Sequence, residues 1–179
     1  SPFAWSGVFI AIISVLNMSS GFLTFYASKA KDKPAYHLTR QWHIFWHPPM
    51  IVISLFVFLS LRIQNADHFN NAVFNYWWMF VISFIFFLIA GALTILKINH
   101  GLAFVMVILQ MFFAFFGYGM SKLPFLLHPF VKITGSHVNP EMGLALVIAF
   151  ILGLLLLIPS LILLLRLFVF DKEYVEGKK

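Results

Sequence analysis

Five stretches of this chain are each long and apolar enough to cross a bilayer, and nothing else limits its fold so strongly. A hydrocarbon core about 30 Å thick takes roughly 20 residues of helix. Cutting the sequence at its polar interruptions gives windows over about 3–28, 41–61, 76–96, 102–118 and 142–170. The first holds no Asp, Glu, Lys, Arg or His until its basic end. In lipid each segment must satisfy its own backbone polar groups, so such windows become helices. The expected fold is therefore all-α, a polytopic transmembrane bundle of five spans forming one membrane domain over residues 1–179. Composition supports this, because 61% hydrophobic and 10% charged residues leave more apolar side chain than a globule of this length can bury. A soluble globule is excluded. The absence of Cys excludes disulfides, thiolate metal sites, iron–sulfur clusters and a cysteine nucleophile.

The interruptions supply the topology. Pro48 and Pro49, near the start of the second window, either begin its regular helix or kink its first turns. The polar run Gln64 to Asn71 and the belt residues Trp77 and Trp78 introduce the third, and a tight turn from Lys97 to Gly101 leads into the fourth. The next loop, with Pro124, His128, Pro129, Gly135, His137 and Pro140, is too broken for lipid. Asn139, Pro140 and Glu141 have the pattern of N-cap, first-turn proline and first-turn acid of the last helix, which Pro159 should kink. With five spans, Lys29, Lys31, Lys33, Arg40, Lys97, Arg166, Lys172, Lys178 and Lys179 fall on one side, against Arg62, Lys122 and Lys132 on the other. Positive residues are retained in the cytoplasm, so the N-terminus is expected outside and the C-terminus inside. Charge so distributed follows the membrane and forms no nucleic-acid stripe. The first residue is Ser, with no basic leader region, and the chain is expected to be a piece of something longer.

The mid-span polar groups are Ser14, Asn17, Ser19, Ser20, Ser54, Ser83, Thr94 and Gln110. A pump or secondary transporter places acids or broken helices at the midplane, so their absence argues against a transporter or permease fragment. Asn17 and Gln110 can hydrogen-bond between helices or to a ligand, with interhelical bonding the simpler role. Asn17-Met18-Ser19 matches a glycosylation acceptor but lies inside a span. His43 and His47, four apart, share a helical face, and a bis-histidine haem would have to pair one of them with His100. All three, with His37, are read as interfacial residues beside Trp42, Trp46, the prolines and the turn, and the chain is expected to ligate no haem or metal. His128, His137 and Glu141 match no metal-ligand spacing. Lys29 to Lys33 could attract anionic lipid, although topological retention already accounts for them. Ala145, Ala149 and Gly153, each four apart, form a small-residue stripe for helix packing. Phe84, Phe86 and Phe87, with Phe112, Phe113, Phe115 and Phe116, suit lipid on one side and quinone-like or lipid-tail contacts on the other.

Three stretches give the whole chain a resemblance to the C-terminal half of subunit II, the smaller subunit of cytochrome bd-type quinol oxidases. They are Ser1-Pro2-Phe3-Ala4-Trp5, Tyr118-Gly119-Met120-Ser121-Lys122-Leu123-Pro124, and the last span with Pro159 ending in Arg166-Leu167-Phe168-Val169-Phe170-Asp171-Lys172. None is a catalytic fingerprint. The resemblance is to the shorter oxidases of Gram-positive bacteria. It implies a nine-span subunit, two four-helix groups with a peripheral helix, of which this chain supplies the last five spans. The acidic proton-pathway residues of the family belong to the other half, so none is carried over. The resemblance further implies that haems b and d sit in the larger partner subunit, which oxidises quinol and reduces oxygen to water. This subunit would pack against that partner in the bacterial cytoplasmic membrane and stabilise it.

Overall fold

In the computed structural model, residues 2–127, 131–132 and 140–166 are described. Helix α1 spans Pro2–Lys29 and α2 spans Lys33–Gln64; a short α3, Ala66–Phe74, leads to α4, Trp77–Ile95, and α5, His100–Ser121. Two short antiparallel strands, β1 (Phe125–Leu127) and β2 (Val131–Lys132), precede α6, Pro140–Leu165. All five expected spans are present as helices long and apolar enough to cross a membrane. The Asn139 cap, His128, His137 and the chain after Arg166 lie outside the described residues.

Two boundaries differ from the sequence expectation. Helix α2 begins at Lys33, not near Gln41, because Asp32 accepts a hydrogen bond from the Ala35 N–H at 3.1 Å and Pro34 occupies the first turn. Pro48 and Pro49 consequently lie well inside a continuous helix. The polar run after Gln64 is helical too: the Asn65 side chain caps α3 by accepting from the His68 N–H at 3.0 Å.

Helices α1 and α2 form one antiparallel hairpin, α4 and α5 another, and α1 packs on α5 to join them. Both hairpin turns are built alike. After α1, the Asp32 N–H bonds to Ala27 O and the Lys31 N–H to Ser28 O, with Lys31 left-handed at φ 57°. After α4, the Ile98 N–H bonds to Leu93 O and the Lys97 N–H to Thr94 O, with Lys97 at φ 60°. Each is a Schellman ending with lysine where glycine is usual.

The four-helix group buries small and polar side chains and turns its large apolar ones outward. Ser6, Asn17, Thr24, His43, Thr94 and Ser121 are nearly inaccessible, whereas Phe45, Leu55, Phe115 and many like them are exposed. That inversion suits a bilayer, where lipid is as apolar as leucine and close packing with interhelical bonds holds helices together. The small apolar core is Met50, Ile53 and Phe87, covered by Ile10, Ile13 and Met111. Helix α6 contributes nothing to it, since none of its span is buried.

Candidate functional site

The interior is organised around two imidazoles. Because α2 starts early, His43 lies about 15 Å along the helix at 1.5 Å per residue, and it is 1% exposed. His43 and His47 follow Arg40 by one and two helical turns, and Arg40 binds the C-terminal end of α4, so both stand toward that end of the bundle with their rings turned inward. His43 Nδ1 lies 3.1 Å from Asn17 O, and His47 Nδ1 lies 2.8 Å from His43 O. A carbonyl oxygen only accepts, so each Nδ1–H donates and each Nε2 remains. Both Nε2 atoms are buried without a hydrogen-bond partner, as are both amide atoms of Asn17 and Oε1 of Gln110.

Glycines on two other helices receive these rings. A Cβ at Gly21 of α1 would stand 2.9 Å from His43 Cε1 and 3.4 Å from its Nε2; one at Gly91 of α4 would stand 3.2 Å from His47 Nε2. The imidazoles thus act as knobs that lock α2 between α1 and α4, with His47 also against the Phe87 ring at 4.7 Å between centroids. A haem iron would need the Nε2 side of a ring open, and here both Nε2 atoms are buried, each beside a glycine of a neighbouring helix. The pair does not fit a haem. His100 is elsewhere, at the start of α5, with Nε2 2.9 Å from the Tyr36 hydroxyl, and His37 is exposed on the first turns of α2. Among the described residues no cluster of three metal-ligating side chains occurs.

Between the two hairpins lies an apolar groove of about 730 Å³, walled by residues such as Ile10, Met50, Phe58, Phe84, Phe87 and Phe115. Its polar lining is Ser14, Ser54, Ser83, Gln110, Tyr118 and Ser121. Ser83 donates to Gln110 O at 2.8 Å, and Ser14 to the Met50 sulfur at 3.8 Å. With no carboxylate, lysine or histidine in the lining, the groove offers shape and a few hydrogen bonds rather than acid–base chemistry. Phe86, Phe112, Phe113 and Phe116 form aromatic contacts outside that lining. Ala145, Ala149 and Gly153 are exposed along α6, and a Cβ at Gly153 would meet nothing within 4 Å.

Two tethers were not apparent in the sequence. Arg40 donates through Nε to Thr94 O at 2.9 Å and through its terminal nitrogen to Ile95 O at 2.8 Å, capping α4 from α2. At the opposite end Ser121 donates to Tyr118 O at 2.9 Å, so its oxygen accepts from His68 Nε2 at 2.9 Å. Asn71 adds a bond to Ser121 O at 2.7 Å and fixes α3 on α5.

The chain has known counterparts in sequence and in fold. The sequence model for the family "cytochrome bd terminal oxidase subunit II" matches residues 1–168. The chain belongs to that family. A putative cytochrome bd menaquinol oxidase subunit II of Bacillus subtilis (strain 168) is 28% identical over 187 aligned positions, which cover 100% of this chain and 54% of the relative. In the solved bd oxidase of Geobacillus thermodenitrificans, one chain superposes with a TM-score of 0.80 at 44% identity, over 96% of this chain and 52% of that one. The subunit II chain thus spans about half the length of the relatives it matches. The transporter reading finds no support in these similarities.

Proposed function

We propose that this chain is the C-terminal half of a bd oxidase subunit II and serves as a haem-free stabilising element of the quinol:oxygen oxidoreductase. The match to the family across residues 1–168 carries this reading. The haems of such an oxidase, which pass electrons from quinol to oxygen, are assigned to the larger subunit, and the enclosed Nε2 atoms of His43 and His47 support that assignment. What this chain's own residues do is mechanical. His43 and His47 set the spacing of α1, α2 and α4, Arg40 binds the end of α4, and His68 with Asn71 closes the other end of the bundle. The stripe Ala145, Ala149 and Gly153 on α6 is proposed as a packing face for the rest of the assembly, since nothing described in this chain covers Gly153. The groove between the hairpins is the surface best suited to a lipid or quinone tail, with the unpartnered Gln110 Oε1 in its wall.

The reading places the assembly in the bacterial cytoplasmic membrane, N-terminus outside and C-terminus inside. Purification through a tag on this chain tests it. The preparation is expected to carry reduced-haem absorbance, the larger subunit and quinol-dependent oxygen consumption. A preparation free of haem absorbance and of a second large subunit would overturn the reading.

A further inference from the structure

The two hairpin turns lie side by side and enclose a second pocket, of about 790 Å³, unrelated to the groove. Lys29, Lys31 and Lys33 reach it from the α1–α2 turn and Lys97 from the α4–α5 turn, with Tyr36 and His100 in its wall. Among the described residues, Asp32 is the acidic member of this lining, and its Oδ1 caps α2. Topological retention asks only that lysines lie on one side of the membrane. It does not ask that turns more than sixty residues apart in sequence bring four of them around one pocket. Nor does it explain the backbone, because Lys31 and Lys97 both hold the left-handed position that glycine occupies without steric cost. Apolar surface is close by in the chain: Phe25 lines the pocket, and Ile95, Leu96 and Ile98, each more than half exposed, are sequence neighbours of Lys97.

We infer that this pocket binds a phosphate group, supplied by the head of an anionic phospholipid whose acyl chains lie along this apolar surface. Lysines that line one pocket from two turns can neutralise a phosphate as point charges, and basic pockets at helix ends suit anionic head groups at the membrane surface. Phosphatidylglycerol and free phosphate share this chemistry, so the experiment separates them. The inference does not depend on the oxidase reading.

The test uses the complex that contains this chain, purified from membranes, delipidated and offered phosphatidylglycerol or phosphatidylcholine in nanodiscs or sodium phosphate in detergent. Native mass spectrometry and thermal shift give the readouts. Phosphatidylglycerol is expected to be retained at least fivefold over phosphatidylcholine. The double variant Lys31→Gly/Lys97→Gly, which removes two charges while easing the backbone, is expected to abolish that preference and remain folded. The pair Arg62→Gln/Lys122→Gln, at the other end of the bundle, should retain it. Stabilisation of the parent but not the double variant by sodium phosphate, without a lipid preference, would support the phosphate site with soluble anion as its source. Equal retention of both lipids with no phosphate response, or an unchanged preference in the double variant, would overturn the inference.

Discussion

At the scale of single residues, the contact between Gly21 and His43 is the tightest test of the packing. A methyl at Gly21 would stand 2.9 Å from His43 Cε1, below any ordinary contact, with the ring held by Asn17 O. Gly21→Val is expected to cost about 1–3 kcal/mol as overpacking does, whereas Gly7→Val, where a Cβ meets nothing within 4 Å, should leave thermal unfolding in detergent nearly unchanged. The same chemistry separates packing from ligation. His43→Ala, His47→Ala and His100→Ala are each expected to leave the reduced-haem spectrum of an assembled complex intact, and loss of one haem signal from a complex that still assembles would refute this. Left-handed lysines give a prediction of opposite sign. Lys97→Gly removes a steric cost of about 1–2 kcal/mol but brings glycine's larger chain entropy, so its melting temperature should equal or exceed the parent's.

At the scale of elements, Arg40 joins α2 to the end of α4 by two hydrogen bonds that no shorter side chain can reproduce. Arg40→Met is expected to lower stability by about 1–3 kcal/mol, the range for bonds made by a charged donor. Arg40→Lys should recover only part, because the ammonium lacks the fork that reaches two carbonyls. Unfolding of purified variants in one detergent would show the order. The spans themselves were legible because apolar runs have to be helical in lipid, and all five appear. Helix α3 and the first turns of α2 were not, since hydropathy falls at the membrane surface while helical hydrogen bonding continues. Asp32 and Asn65 signal those starts as N-caps. The interior role of His43 depends on Gly21, a residue with no side chain and remote in sequence. Arg40 likewise reads as a retained charge until α4 is placed beside it.

At the scale of the whole molecule, orientation and assembly are the open measurements. A Cys at exposed Lys31 and another at exposed Asn70 sit at opposite ends of the bundle. In right-side-out vesicles an impermeant maleimide is expected to label the second and miss the first, and the reverse pattern would invert the topology. Gly153→Leu is expected to leave the melting of the α1–α5 bundle unaltered, because nothing described there meets Gly153, yet to weaken assembly of the complete oxidase on native gels. The exposure of α6 among the described residues also bears on how the protein is made. The four bundled helices carry buried polar groups such as Asn17, His43, Thr94 and Gln110, which are costly to leave facing acyl chains and so favour entry into the membrane as paired hairpins. Helix α6 carries no such burden between Glu141 and Arg166 beyond Ser160. Emerging after the bundle, it can leave the insertion machinery as a single span and rest in lipid until the surface it packs against reaches it.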